Sequence, residues 1–343
     1  MNKKLTILLL SCFAGLASCS RSTRAEVTSF TAMNTYMTVK SYGKGAAAAN
    51  ERVRQEVERL ESILSTTIES SDVYKINNSD VEEITVSAET AFLIEQGADF
   101  YKMTGAAFNP ALYPVIREWG FTTGEYKVPE AGRIQELLEF TDFSAVVEPV
   151  ETTASTTVIS RPAGLQLDFG AIGKGYAGDK AIEILKNADV KSALLDFGGN
   201  IQVLGTKPDG SDWIVGIKNP WGGQPVAAVK LRDACMITSG GYERFFIGED
   251  EKKYIHIFDS KTGRPVENDL ESVTIICREG IYGDALSTSL FVMGLDKAID
   301  FWQQRGRDFD FVIITKDRGL VYSASLENSI SLLFDFDSVR LVE

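Results

Sequence analysis

A glycine-rich hexapeptide does more than any other feature to limit the folds open to this chain of 343 residues. Residues 173–178, Gly-Lys-Gly-Tyr-Ala-Gly, match the G-x-G-x-x-G pattern of Rossmann folds, and Asp196 stands where such folds carry a ribose-binding carboxylate. However, residues 164–168 alternate polar and apolar side chains, whereas the first strand of a parallel sheet is almost continuously apolar. We therefore interpret the glycines as the start of a helix whose backbone amides can face a phosphate, with Lys174 beside them.

The hydrophobic pattern predicts a single α+β domain over residues 27–343, with helices packed on a mixed or antiparallel sheet. No internal repeat or long linker interrupts it, and residues 105–110 read as a loop. Helices are predicted at residues 46–65, 88–104, 129–138, 176–187, 284–293 and 296–305. Strands are predicted at residues 27–41, 157–160, 165–169, 192–197, 213–218, 227–231, 254–259, 272–278, 309–315 and 331–342.

The first 18 residues have the pattern of an export signal, with Lys3 and Lys4 before an apolar core too short to span a bilayer comfortably. Residues 16–19, Leu-Ala-Ser-Cys, resemble a bacterial lipobox, in which Cys19 receives the lipid and becomes the first mature residue. An ordinary signal peptide with an incidental cysteine is the alternative. We expect a lipid-anchored protein of the bacterial cell envelope that faces the periplasm, with residues 19–26 as its tether.

The charge balance argues against a polyanionic partner. With 35 basic and 48 acidic residues the net charge is -13, so the surface repels nucleic acid. A substrate that carries phosphates would need a metal ion to neutralise them locally. With a single histidine and no paired-cysteine motif, the sequence lacks the usual ligand set of a structural zinc site. Cys235 and Cys277 lie in apolar runs typical of buried free thiols, and a disulfide between them is left open.

Asp284 and Thr288 form the most informative polar pair. Four residues apart at a predicted helix start, they share one face, and a carboxylate with a hydroxyl offers hard oxygen ligands suited to Mg²⁺. The alternative is that Asp284 only caps the helix.

Two further segments carry candidate chemistry. In the glycine-rich turn, Asp168 can accept a hydrogen bond from a ring imide or an amide, and Lys174 can meet a phosphate; a purely structural turn is the alternative. Strand-like alternation over residues 254–259 places His256 and Phe258 on one face, next to a tight turn at residues 260–263. A general base and a structural histidine are both compatible with this position.

Taken together, seven segments in order resemble the ApbE family, the FAD:protein FMN transferases. The resemblance implies a single domain related to the T-fold. The segments are residues 32–35, 105–110, 167–179, 195–200, 238–244, 256–265 and 284–288.

The resemblance also implies roles for individual residues. Mg²⁺ would be held by the Ala171 carbonyl, Asp284 and the hydroxyls of Ser287 and Thr288, and would bridge to the pyrophosphate of FAD. His256 would assist the acceptor hydroxyl, which attacks the FMN phosphorus as AMP departs. Acceptors in this family are membrane flavoproteins of the sodium-pumping quinone reductase and Rnf type, with a threonine or serine as the target. The FAD contacts would be Met33, Thr67, Ala107, Phe108, Asn109, Asp168, Lys174 and Phe258.

Two positions depart from the family pattern. Asn34 stands where relatives commonly have glycine, and Thr67 stands where they often have an aromatic residue or asparagine. A weaker hold on the flavin would let water compete with the acceptor, so an FAD pyrophosphatase that yields FMN and AMP is one alternative. A non-enzymatic FAD-binding lipoprotein is the other.

Overall fold

The structure is a computed structural model that describes residues 24–145, 149–153 and 156–343. The predicted signal peptide, Cys19 and the tether up to residue 23 therefore lie outside the described residues. Within the described part, no helix is long and apolar enough to cross a bilayer.

Helices and strands alternate along the described chain. The helices are α1 (Ala46–Leu64), α2 (Asp72–Asn78), α3 (Ala88–Met103), α4 (Tyr113–Glu118), α5 (Ala131–Leu138), α6 (Gly173–Asn187), α7 (Gly280–Met293) and α8 (Leu295–Gln304). The first strands are β1 (Ala25–Ala32), β2 (Thr35–Tyr42), β3 (Glu83–Ser87), β4 (Pro149–Thr152), β5 (Thr156–Ser160), β6 (Ser192–Phe197), β7 (Asn200–Leu204), β8 (Trp213–Ile217) and β9 (Ala227–Leu231). The remaining strands are β10 (Ala234–Gly240), β11 (Phe245–Ile247), β12 (Lys253–Ile255), β13 (Phe258–Asp259), β14 (Arg264–Pro265), β15 (Leu270–Cys277), β16 (Asp310–Thr315), β17 (Gly319–Ser323), β18 (Ile330–Leu332) and β19 (Ser338–Val342).

A nine-stranded sheet in the order β1-β2-β6-β7-β10-β15-β16-β17-β19 forms the centre of the domain. Its neighbouring strands are antiparallel except β17 and β19, which are parallel. Helices α1, α6 and α7 pack on one face, and the small sheet β18-β9-β8 packs on the other, so apolar side chains alternate between two cores. The predicted α+β domain with a mixed sheet is confirmed.

The predicted strand over residues 27–41 is two strands. β1 and β2 form a hairpin whose two-residue turn, Met33–Asn34, has positive φ angles of 49° and 58°. Asn accepts this conformation readily, but methionine carries no turn signal, so the strand pattern concealed the reversal. The turn projects Met33 and Asn34 from the end of the hairpin.

Residues 165–169 were predicted as a strand, and this was wrong. The segment belongs to none of the described strands, and the side chain of Asn77 bonds its backbone where a neighbouring strand would. Asn77 Oδ1 accepts from the Leu167 amide (2.7 Å), and Asn77 Nδ2 donates to the Leu167 carbonyl (2.8 Å). A side-chain amide satisfies the backbone here as a strand partner would.

Two other predicted strands are divided. The segment at residues 254–259 leaves one hairpin after β12 and enters another at β13, so His256 lies in the break between them. The segment at residues 331–342 contains β18 and β19, which belong to different sheets. In both cases the alternation of polar and apolar side chains continues where the partner strand changes. The sequence pattern therefore could not show the change of partner.

Helix α7 begins four residues earlier than predicted. The carboxylate of Asp179 accepts hydrogen bonds from the amides of Gly280 (2.6 Å) and Ile281 (2.9 Å) and so caps the helix from α6. Asp284 therefore lies in the second turn, and the alternative that it caps α7 is excluded. Burial raises the pKa of Asp179 to about 6, against the lowering effect of these two amides.

Glycines allow α6 and α7 to touch. A Cβ on Gly175 would lie 2.2 Å from the Gly280 carbonyl oxygen and 2.9 Å from the Asp284 Cβ. A Cβ on Gly178 would lie 2.2 Å from the side-chain nitrogen of Gln202 on β7. Two glycines of the hexapeptide thus serve helix packing.

The two cysteines face each other on adjacent strands. Cys235 and Cys277 are opposite residues of β10 and β15, both are buried free thiols, and their sulfur atoms are 3.2 Å apart.

Replacing Gly175 with alanine should destabilise the fold, because the new methyl group meets backbone rather than a flexible side chain. We expect the free energy of unfolding to fall by about 1–3 kcal/mol in urea titrations. Gly173→Ala is the matched control, since a Cβ there has no neighbour within 4 Å, and it should stay within about 1 kcal/mol of wild type. Equal stability of the two variants would contradict the packing role of Gly175.

Candidate active site

A cavity of about 430 Å³ opens at one end of the nine-stranded sheet. Its wall is formed by the β1–β2 turn, the loop before α4, the turn into α6, the end of β10, the segment between β12 and β13, and α7. Eleven of the predicted site residues line this cavity: Met33, Ala107, Phe108, Asn109, Asp168, Ala171, Lys174, His256, Phe258, Asp284 and Thr288.

Two predicted site residues are absent from the cavity lining. Thr67 is exposed in the loop after α1, where its hydroxyl lies 3.1 Å from that of Ser65. Ser287 is fully buried behind the wall and donates to the Asp284 carbonyl (3.0 Å). Ser239 lies between Ser287 and Thr288, with its hydroxyl 2.9 Å and 3.2 Å from theirs, so these hydroxyls form one network.

The Asp284 side chain is held against α6. It is only 4% exposed, and its Oδ2 accepts from the Gly175 amide at 2.9 Å. Oδ1 has no hydrogen-bond partner among the described residues. Thr288, one turn further along α7, and Ala171 line the same cavity.

This donor set suits a hard cation. The carboxylate of Asp284, the hydroxyl of Thr288 and the carbonyl of Ala171 are oxygen ligands of the kind that Mg²⁺ prefers. Among the described residues, no three His, Cys, Asp or Glu side chains lie together in a group that could hold a metal ion. A magnesium ion at this place would therefore depend on backbone and hydroxyl oxygens and on oxygens of a bound substrate.

The start of α6 offers fewer free amides than predicted. The Gly173 amide donates to the Phe169 carbonyl (2.7 Å), and the Gly175 amide is taken by Asp284. The expectation that these amides face a phosphate is therefore wrong for Gly173 and Gly175. Lys174, between these two glycines, is the residue of the helix start that lines the cavity.

Asp168 joins the turn to the opposite loop. Its amide donates to the Pro110 carbonyl (2.8 Å), and its Oδ1 accepts from the Gly170 amide (2.6 Å). Burial raises the pKa of the Asp168 carboxyl, while the Gly170 amide and the charges of Arg244 and Lys174 oppose the rise.

His256 is held by the backbone of Arg244. Its amide and its Nδ1 both lie 3.1 Å from the Arg244 carbonyl oxygen, so Nδ1 is the protonated nitrogen and Nε2 is left as an acceptor. Burial, together with the nearby charges of Arg244 and Lys174, lowers the pKa of His256 to about 4. The imidazole is therefore neutral at pH 7.

Comparisons with known proteins agree with the resemblance seen in the sequence. The model of the ApbE family matches residues 33–313 of this chain. The chain belongs to the ApbE family. It is 33% identical to the FAD:protein FMN transferase of Treponema pallidum, with 95% of each chain covered, and 32% identical to that of Klebsiella pneumoniae, with 85% of this chain and 90% of the relative covered. The crystal structure of the ApbE protein of Thermotoga maritima superimposes with a TM-score of 0.82 at 28% identity, over 89% of this chain and 99% of that one.

Some residues of this ApbE cavity were not singled out from sequence. Arg244 and Ser239 lie in a segment that carried the resemblance, but spacing alone gave them no role. Phe121 and Thr122 had no sequence signal, because they reach the cavity from the loop after α4. That loop belongs to an aromatic cluster in which Phe121 contacts Phe258 edge to face.

The protonation of His256 predicts a pH dependence of stability. Its folded pKa lies below the unfolded value, so the unfolded chain binds the proton more tightly, and stability is lost as pH falls through 6.5 towards 4. Relative to His256→Gln, wild type should lose on the order of 2 kcal/mol of unfolding free energy between pH 7 and pH 5. Urea titrations across this range measure it, and parallel pH curves for the two proteins would contradict the low pKa.

Proposed function

We propose that this ApbE-family chain is a Mg²⁺-dependent enzyme that transfers FMN from FAD to a threonine or serine hydroxyl of a protein, releasing AMP. The observation that carries the proposal is the convergence of Asp284, Lys174, Asp168 and His256 on one cavity. The names of its relatives, at 32–33% identity over most of the chain, support the same activity.

The cavity has polar and apolar lining residues that suit a flavin dinucleotide. Asp168 lies beside the loop that contains Ala107 and Asn109, where a carboxylate can accept from the ring imide of the isoalloxazine. Met33 and Phe258 contribute apolar surface at the same cavity. A pocket of this volume is in the usual range for a small-molecule site, although part of so long a ligand would extend from its mouth.

Anionic phosphates need local compensation on a chain with a net charge of -13. Bound Mg²⁺ would neutralise the pyrophosphate and stabilise the charge that develops on the oxygens in transfer. Asp284, Thr288 and the Ala171 carbonyl are the groups that would hold it, and Lys174 adds a fixed positive charge at the same wall.

His256 is suited to accept the proton of the attacking hydroxyl. Its Nε2 is unprotonated, and the anionic substrate would offset the charges of Arg244 and Lys174 that weaken it as a base. The acceptor oxygen forms a bond to the FMN phosphorus, the bond from that phosphorus to the bridging oxygen breaks, and AMP carries that oxygen away.

The sequence also supports a proposed place of action. The lipobox-like residues 16–19 would attach Cys19 to the membrane on the periplasmic side of the cell envelope. A tethered enzyme would meet membrane flavoproteins, and the acceptors we propose are subunits of the sodium-pumping quinone reductase or Rnf type.

A peptide-labelling assay tests the proposal. Purified protein is incubated with FAD, Mg²⁺ and a threonine-containing acceptor peptide; we expect AMP release together with covalent flavin fluorescence on the peptide. AMP release without labelling would instead support FAD hydrolysis, and bound but unchanged FAD would support a storage protein.

Asp284→Asn separates the metal role of this residue from its structural role. The amide oxygen of asparagine can still accept from the Gly175 amide, but the neutral side chain is a much poorer magnesium ligand. We expect AMP release to fall at least a hundredfold (about 2.7 kcal/mol), with the thermal unfolding midpoint nearly unchanged. Retention of full activity would remove Asp284 from the proposed metal site.

A further inference from the structure

Arg244 is a basic cavity residue to which the proposed function assigns no ligand group. Of the described residues that line the cavity, Lys174 and Arg244 are the basic ones. Lys174 opens α6, near the proposed metal ligand Ala171. Arg244 follows β10 and accepts hydrogen bonds from His256 through its backbone carbonyl.

The guanidinium of Arg244 is only partly used by the protein. Its Nη2 donates to the Phe121 carbonyl at 2.5 Å, which anchors the loop after α4. Among the described residues no other acceptor bonds to it, and no carboxylate pairs with it; the neighbouring Glu243 pairs with Lys218 at 2.8 Å instead. Since a guanidinium carries five N–H donors, most of them remain available.

The backbone of Arg244 is bonded directly to the histidine. The carbonyl of Arg244 accepts from both the amide and the Nδ1 of His256, so its side chain leaves the backbone at the point that orients the imidazole. The charge of Arg244 also acts on the protonation of both His256 and Asp168. Arg244, His256 and Asp168 all line the same cavity.

We propose that the Arg244 guanidinium binds the FMN phosphate, the phosphoryl group that undergoes transfer. The inference rests on the proposed function. If the acceptor hydroxyl is to lie near Nε2 of His256, the phosphorus that it attacks lies on the same side of the cavity, within reach of Arg244. A planar fork of donors matches the non-bridging oxygens of that phosphate, on which charge is spread during transfer. The metal side of the cavity then compensates the bridging region, and Arg244 compensates the side under attack.

Ligands that differ in phosphate content separate this role from a structural one. Binding of FAD, FMN and riboflavin is measured by flavin fluorescence, with EDTA present to prevent turnover, for wild type, Arg244→Met and Arg244→Lys. Lys253→Met is the matched control, because it removes a cation from β12 that is stacked over Phe245 outside the cavity lining.

We expect Arg244→Met to weaken FAD and FMN binding about tenfold to a hundredfold, because charge-assisted hydrogen bonds are lost, and to leave riboflavin binding unchanged. Lys253→Met should bind all three ligands as wild type does. Arg244→Lys should recover part of the loss, because it restores the charge without the fork. Equal weakening of all three ligands would mean that Arg244 only holds the Phe121 loop. Unchanged FAD binding, or no recovery in Arg244→Lys, would also overturn the proposal.

This comparison does not depend on turnover. Failure of wild type to label an acceptor peptide would reject the proposed transferase activity while the binding results still decide the role of Arg244. Conversely, if wild type labels the peptide and Arg244→Met binds FAD and FMN as tightly as wild type does, only the inference about Arg244 is rejected.

Discussion

The contact between α6 and α7 is the constraint on which the site depends. The missing side chain of Gly175 lets the Gly280 carbonyl approach to a distance at which any Cβ would clash, and this closeness brings the Gly175 amide to the Asp284 carboxylate. One carboxylate oxygen is thereby fixed and the other is left for the cavity. Asp179 secures the same junction by capping α7 from α6. The glycines at the start of α6 therefore act through backbone packing rather than as a phosphate-binding loop. This packing sets the position of the proposed metal ligand.

The sequence predicted those features that depend on local pattern. Six of the eight described helices (all but the short α2 and α4), the α+β class and the grouping of most of the predicted site residues came from periodicity and from the resemblance to the ApbE family. The missed features depend on contacts between distant residues: the clamp of Asn77 on Leu167, the cap that Asp179 provides for α7, and the change of hairpin at His256. The turn at Met33–Asn34 was missed for a different reason, since methionine at positive φ gives no signal.

The cavity carries charges of both signs. Lys174 and Arg244 line it together with Asp168, Glu243 and Asp284, and the two basic residues act together on the protonation of Asp168 and His256. Without a substrate, these charges and burial keep the imidazole neutral and hydrogen-bonded in one tautomer. An anionic dinucleotide would compensate the cations and strengthen the histidine as a base. The proposed chemistry thus sets Lys174, Arg244 and a bound metal ion against the phosphates of the substrate.

We propose that a divalent cation binds between the turn at Ala171 and the second turn of α7, against the pyrophosphate of FAD. Crystals grown with FAD and Mn²⁺ in place of Mg²⁺ test it directly, because manganese has a strong anomalous signal. The account predicts an anomalous peak within coordinating distance of the Ala171 carbonyl, the Asp284 carboxylate and the Thr288 hydroxyl, and touching a phosphate oxygen. A peak elsewhere, or FAD bound with its phosphates away from these three residues, would contradict it.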